Sequence, residues 1–302
     1  MKAVRWKRAG ELLARVEPML VQEEVKHNLP LGILRQLSME EERGIFSDAV
    51  LVSIEEDHVT QGLLLQTPPR NAIVCGSAAS MEAASGWLAS HTGSVPGVVG
   101  CEPAVHAFVR AWTAETGEGA ELKKRQIIYR LDDVRYVDTP PGKLTFANED
   151  DAALVMFWTE KFAMGSLRKE DVQELEATVL REIRNNQVFL WRDDTYTPKS
   201  MAKRARDLTN GVVMNYVYTP KQHEKQGYAT ACVKALAERL INEGFRFCSV
   251  NTDDDHLPSK FLYEKLGFEP AGISYEFAFT AEGMEPDPAE RKSDGGVDGF
   301  SS

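Results

Sequence analysis

The sequence predicts an α/β (α+β) protein of two similar units, each a mixed, mostly antiparallel sheet flanked by helices. Three observations lead there. Apolar residues recur at helical spacing in some segments and alternate, or run together, in short Val-, Ile- and Tyr-rich ones, so helices and strands intermix. Helices followed by a strand–turn–strand unit occur in both halves, with negligible identity between the copies. A polar stretch bearing Pro-Pro-Gly, residues 132–143, separates the two runs and reads as a boundary.

The elements follow in order. Residues 8–37 are helical in pattern, with Leu12, Leu13, Val16 and Leu20, then Ile33, Leu34 and Leu37, on apolar faces. Pro18 and Pro30 are expected to break this run, because proline lacks the N–H that a helix interior uses. "AVLVSIEEDHVTQGLLLQTP" reads as two strands joined by a polar turn around residues 55–58. "SMEAASGWLASH" is a helix with Met81, Ala84 and Leu88 inward. "VVGCEPAVHAFVRAWTAETG" gives a short strand and a helix, and "RQIIYRL" a strand.

Beyond the boundary, "EDDAALVMFWTEKFAMG" and "KEDVQELEATVLREIRNN" are helices opening on acidic residues, which suit the positive end of a helix dipole. "QVFLWRDDTYTPKSMAKRARD" is again strand, polar turn, strand. "GVVMNYVYTP" is a strand ended by Pro220. The helix from 228 to about 242 puts Ala229, Val233, Leu236, Ala237, Leu240 and Ile241 on one face, with Gly244 at its C-terminal cap. "FRFCSVNTD" is the next strand, and "PSKFLYEKL" a short helix opened by Pro258 and closed by Gly267. "ISYEFAF" alternates as a final strand, and the Gly- and Pro-bearing residues 281–302 read as a disordered tail. The expected organisation is therefore a first domain over 1–135, a linker over 136–142, a second domain over 143–280, and the tail.

Composition narrows the function classes. A formal charge of −11 argues against a nucleic-acid binder, which needs a basic face to displace counterions, and suits a neutral or cationic small partner. No apolar run reaches the ~18–20 residues of a membrane helix, so no membrane partner is expected. The N-terminus lacks the apolar core of a signal peptide, which makes a cytoplasmic location the default. Cys75, Cys101, Cys232 and Cys248 have no C-x-x-C spacing and no histidine cluster beside them; they read as reduced, mostly buried thiols, with no metal expected. The oligomeric state is left open, with room for a homodimer.

The stretch "EKQGYATACVKAL", residues 224–236, concentrates the chemistry. A loop carrying Gln226-Gly227-Tyr228-Ala229 ahead of a helix can aim several free N–H groups at one point, where the dipole adds roughly half a positive charge. Gly227 would let the backbone approach a ligand and Ala229 would keep the first turn slim. Taken alone, a glycine before a helix is equally an ordinary start signal.

Its context resembles the GCN5-related N-acetyltransferase (GNAT) superfamily. The family's cofactor motif, Gln/Arg-x-x-Gly-x-Gly/Ala, corresponds to Glu224-Lys225-Gln226-Gly227-Tyr228-Ala229; "YVYTP" looks like its cofactor strand and "FLYEKLGF" its closing helix and strand. The resemblance covers residues 143–280, and the first half looks like a degenerate, acetyltransferase-like copy without a Gly-x-Gly/Ala turn, as in tandem members. Glu224 departs from the motif and lies close to where phosphate would sit; Lys225 or Lys221 could offset it.

The resemblance implies transfer of an acetyl group from acetyl-coenzyme A directly to the amine of a small molecule or amino-acid-like acceptor, without a metal. Lys225, Gln226, Gly227, Tyr228, Ala229 and Thr230 would meet the pyrophosphate, Tyr218 and Thr219 the amide-bearing arm, and Asn251 would orient cofactor or substrate groups. Tyr263 matches the tyrosine that protonates the leaving thiolate in many members; its other reading is a helix residue packed on the sheet. Asp253 is the side-chain candidate for the base, beside a water relay, and the run Asp253-Asp254-Asp255 reads equally as a solvated or helix-capping loop. His256 stands where many members carry an asparagine. "KRAR" at 203–206 would meet the 3′-phosphate or form a solvated strand edge. The competing function is a non-catalytic acyl-coenzyme A sensor or scaffold. A nucleotide-binding domain would need a Gly-rich turn with Lys-Ser/Thr or a ribose-binding acid, and neither is present.

Overall fold

The computed structural model describes residues 1–92, 95–163 and 175–280. The tail expected over 281–302 and the start of the helix expected from Lys169 lie outside the described residues.

The first half contains β1 (Lys2–Arg5), α1 (Ala9–Leu20), α2 (Asn28–Glu42), β2 (Val50–Glu56), β3 (Val59–Gln66), β4 (Ala72–Gly76), α3 (Ala78–His91), β5 (Gly97–Cys101), α4 (Ala104–Thr116) and β6 (Gly119–Leu131). The second contains β7 (Lys143–Phe146), α5 (Ala152–Ala163), α6 (Leu175–Arg184), β8 (Val188–Arg192), β9 (Pro198–Asp207), β10 (Gly211–Tyr218), α7 (Tyr228–Asn242), β11 (Phe247–Asp253), α8 (Leu257–Leu266) and β12 (Glu269–Thr280). Among the described residues the order strand, two helices, three strands, helix, strand, helix, strand runs twice.

The strands of the described residues join one 12-stranded sheet in the order β1-β2-β3-β4-β5-β12-β6-β11-β10-β9-β8-β7. The last strand of each half is exchanged. β12 pairs with β5 of the first half, and β6 pairs with β11 of the second. The two exchanged strands also pair with each other, from Glu269↔Arg130 to Thr280↔Gly119. The pairings β4–β5 and β10–β11 are parallel and the others antiparallel.

Period-two alternation sorts side chains to the two faces of this sheet. Leu51, Leu63, Leu65, Ile128, Val213 and Phe247 pack under α1 and α2, while Val188, Leu190 and Met201 pack under α5 and α6 on the same face. On the opposite face Val52, Ile54, Leu64 and Val98 meet α3 and α4, and Phe189, Ala202, Val212, Met214, Cys248 and Val250 meet α7 and α8. The α1–α2 pair belongs to the first half yet is tied to the second. Glu24 accepts from Asn210 N and Nδ2 at 2.9 and 3.0 Å, and Arg35 donates to Thr209 Oγ1 at 2.6 Å.

Two local expectations are corrected. Pro18 does not break the first helix: it lies in the last turn of α1, and a 3-10 turn, Val21–Glu23, follows. Pro30 sits in the first turn of α2, where its missing N–H would have had no helical partner. "KRAR" is not a sheet edge, because β9 lies between β8 and β10. Lys203 there is buried and paired to Glu182 of α6 at 2.7 Å.

The cysteines are free thiols, and burial raises the pKa of Cys101 to about 11 and those of Cys232 and Cys248 to about 12. Among the described residues no helix is long and apolar enough to cross a membrane, and no group of His, Cys, Asp and Glu side chains is gathered to hold a metal.

Candidate active site

The site begins where two parallel strands part. β10 and β11 pair through Gly211↔Phe247, Val212↔Cys248 and Val213↔Ser249, and no further. At the closed end a Cβ on Gly211 would come within 2.2 Å of the Phe247 ring, so the strands meet there at glycine distance. Beyond Val213, β9 holds β10 as far as Tyr218, and β6 holds β11 as far as Asp253. Each strand follows its outer neighbour, and a slot opens between them at their C-terminal ends. An irregularity between Asn215 and Tyr218 adds to the divergence: Tyr216 takes φ +49°, and a bulge of this kind bends its strand. The Tyr216 ring is held between the Lys203 ammonium, 4.3 Å from its centroid, and the Phe162 ring at 4.9 Å.

The chain leaves β10 through Thr219 and Pro220, makes a 3-10 turn at Lys221–His223, and enters α7 at Gly227. Thr219 Oγ1 donates to Ser200 Oγ at 2.8 Å, and Ser200 Oγ donates to the Tyr218 carbonyl at 3.1 Å, which pins the end of β10 to β9. Lys225 has φ +58° and Gly227 φ +84°. Two left-handed residues turn the chain sharply, and glycine takes the second without steric cost. Among the described residues no side chain caps α7, so the N–H groups of Tyr228, Ala229 and Thr230 are left for a partner. Gln226 folds back to donate to the Gln222 carbonyl at 3.0 Å, and the Tyr228 ring meets His223 edge-on at 6.1 Å.

The corresponding place in the first half is closed. Only Ser77 stands between β4 and α3, and its side chain accepts from Ser80 N, capping the helix. Nothing there replaces the loop of residues 219–227.

The sequence-derived candidates distribute over the slot. Lys225, Gln226, Gly227, Tyr228, Ala229 and Thr230 lie together at the start of α7, with Tyr218 and Thr219 at the adjoining strand end. Burial, and then the charge of nearby Glu224, raises the Tyr218 phenol above its ordinary pKa. Glu224 itself is exposed. Tyr263 is 5% exposed on the α7–α8 face, packed on Tyr129 and Phe268, and burial holds its hydroxyl well above the ordinary phenol range. Asp253 extends from the opposite face, where Gln126 Nε2 donates to it at 2.7 Å and Lys124 Nζ lies at 3.3 Å. Tyr263 and Asp253 thus flank the sheet from its two sides. His256 holds Ser259 through Nδ1 at 2.7 Å. Asn251 lies on the Asp253 face rather than beside α7.

Two features escaped the sequence reading. Asn215 Oδ1, Ser249 Oγ and Asn251 Oδ1 are buried without hydrogen-bond partners among the described residues. Isolated polar residues in strands such as Asn215 and Ser249 look like solvent-facing positions, and only the register brings them beside Asn251, which the family resemblance had singled out. Pro140 Cδ lies 3.1 Å from where a Cβ on Gly227 would be, so the segment between the halves packs on the turn before α7.

Comparison with known proteins bears on the fold that carries this site. Residues 155–268 match the model of the acetyltransferase (GNAT) family. A GNAT-family acetyltransferase from Colwellia psychrerythraea superposes with a TM-score of 0.59 at 11% identity, covering 93% of this chain and 99% of the other. A Drosophila protein gives 0.63 at 11% identity over 93% and 99%. A tandem GNAT protein from the clavulanic acid biosynthesis pathway gives 0.53 at 13% identity over 94% and 99%. At such identities these structures speak to the fold. No curated protein sequence matches the chain.

Proposed function

From the premise that the chain carries a domain of the acetyltransferase (GNAT) family, we propose that it is an acetyl-coenzyme A-dependent N-acetyltransferase acting by direct transfer on the amine of a small-molecule or amino-acid-like acceptor. One observation carries this reading: the slot between β10 and β11 opens beside the uncapped start of α7. Ligands of parallel sheets sit at such carboxyl ends of strands, and phosphate suits a free helix N-terminus.

The residues present fit the cofactor. Three free N–H groups, the exposed Lys225 and the glycine turn can receive a pyrophosphate, and the backbone of Tyr218–Thr219 can meet the amide-bearing arm along the unpaired edge of β10. When bound, acetyl-coenzyme A supplies a thioester carbonyl open to attack by an amine. The amine nitrogen forms the new bond to the acetyl carbon as the carbon–sulfur bond breaks, and one amine proton leaves to Asp253 or to a water. Tyr263 returns a proton to the departing sulfur; as a phenol it is protonated at neutral pH, as an acid must be. The first half, with its capped α3, takes no cofactor in this reading and shapes the acceptor side through α1 and α2.

A second reading, a non-catalytic acyl-coenzyme A sensor, draws on the engagement of Asp253 with Lys124 and Gln126, which occupies the carboxylate that would act as base. The first experiment is a thermal melt with acetyl-coenzyme A. At a hundred times its Kd a bound ligand adds about 2.7 kcal/mol, and no shift at millimolar concentration would sink both readings.

A further inference from the structure

We infer that the acceptor is a small primary amine that also carries a carboxylate, its amine held by Asn215, Ser249 and Asn251 and its carboxylate by Arg206. This rests on the acetyltransferase reading above.

Among the described residues six buried side-chain polar atoms have no hydrogen-bond partner, and three are the oxygens Asn215 Oδ1, Ser249 Oγ and Asn251 Oδ1. Buried polar atoms are nearly always satisfied, so three orphans at one place point to an absent partner. The register gives that place. Ser249 pairs with Val213, the last residue before β10 and β11 separate. Asn251 and Asn215 each stand two residues further along their strands, on the face of Ser249 and Val213. That face is covered by α1 and α2, opposite the face that receives α7. The three oxygens therefore border the proposed thioester slot from the side the cofactor loop does not use.

Oxygens call for a donor with several hydrogens, and a primary amine has them. The three are also uncharged. A carboxylate in their place would hold the amine as an ammonium, whereas neutral oxygens orient it and still let a proton leave.

The carboxylate follows from Arg206. It pairs with Val213 from the other side, so Arg206, Val213 and Ser249 form one row across three strands, about 10 Å end to end. Its Nη2 donates to Asn28 Oδ1 at 3.0 Å, while its Nε is buried and has no hydrogen-bond partner among the described residues. Lys203, on the same face, is neutralised by Glu182 at 2.7 Å; no carboxylate does this for Arg206 among the described residues. A half-buried guanidinium without a counter-ion, its Nε shut off from solvent, favours an anionic ligand and repels a second cation.

The test measures thiol release from acetyl-coenzyme A with glycine, β-alanine, 4-aminobutyrate and the common α-amino acids, each beside the matching amine without its carboxylate. At least one acid-bearing amine is expected to exceed its partner about tenfold or more in kcat/KM. Arg206→Met should bring that ratio close to one, and Arg206→Lys should retain part of it. Because the ratio is taken within a single variant, partial unfolding does not distort it. Asn215→Leu and Asn251→Leu should raise KM for amines about tenfold with the Kd of acetyl-coenzyme A unchanged. The inference is overturned by equal use of both members of every pair, by a preference that survives Arg206→Met, or by Asn variants that lose cofactor binding instead. Failure of the wild-type protein to bind acetyl-coenzyme A would instead remove the acetyltransferase reading on which the inference stands.

Discussion

Pro140 and Gly227 touch across the outside of the second half: Pro140 Cδ lies 3.1 Å from the point where a side chain at Gly227 would begin. The segment carrying Pro140 is fixed at its other end by Arg135 N, which donates to the Leu266 carbonyl at 2.9 Å. The connection between the halves thus runs from the end of α8 to the start of α7 and packs on the loop proposed to hold phosphate. Gly227→Ala would push a methyl group against Pro140 and force a left-handed φ on alanine, at a cost of about 1–2 kcal/mol. Urea denaturation should register that loss, and titration calorimetry should find acetyl-coenzyme A bound more weakly.

Tyr263→Phe separates enzyme from sensor. The hydroxyl makes no hydrogen bond among the described residues, so the packing on Tyr129 and Phe268 should survive its removal. Turnover is expected to fall by ~10²-fold or more, the scale of a lost general acid, while cofactor affinity holds. Full retention of turnover would return Tyr263 to a purely packing role.

Glu224 is exposed beside the loop and acts electrostatically on Tyr218. Glu224→Arg is expected to tighten acetyl-coenzyme A binding several-fold at low salt, with the gain shrinking as salt rises. Weaker binding in the variant would give the acid a positive role at the site.

His27 makes stability depend on pH. Burial, the dominant influence, lowers its pKa, against the opposing effect of its Nδ1 contact with the Leu20 carbonyl at 3.1 Å. With the folded value below the ordinary 6.5, the unfolded chain binds the proton more readily. The stabilisation is therefore complete above pH 6.5 and declines as pH falls through 6.5 toward the folded value. Chemical denaturation at pH 7.5 and pH 5.5 should reveal the decline, and His27→Gln should flatten it.

The exchanged strands make the halves interdependent. Residues 143–280 alone would lack β6, leaving β11 with an open edge and β12 without either neighbour. Such a fragment is expected to show no cooperative thermal transition, and mixing it with residues 1–142 should restore one.

Much of this was legible in the sequence, for identifiable reasons. The face of α7 that includes Val233, Leu236, Ala237 and Leu240 follows from helical spacing, and all four are buried. Gly227 announced the turn before it by residue type alone. Pairing between distant strands left no such mark. The alternation of Tyr275, Phe277 and Phe279 says that one side of β12 is apolar but not that its neighbours are β5 and β6. Asn215 and Ser249 were invisible for the same reason, since their burial depends on a register set by strands far apart in the chain.

The position of β12 has a consequence for biosynthesis. Its insertion point, between β5 and β6, is made by the time residue 131 has emerged from the ribosome, yet the strand that fills it begins at residue 269. The nascent first half must wait with β5 and β6 unjoined while the second half is translated, at roughly 5–20 residues per second. Slow codons or a bound chaperone before residue 269 would lengthen this exposed interval, and closure of the sheet would mark the end of synthesis of the described fold.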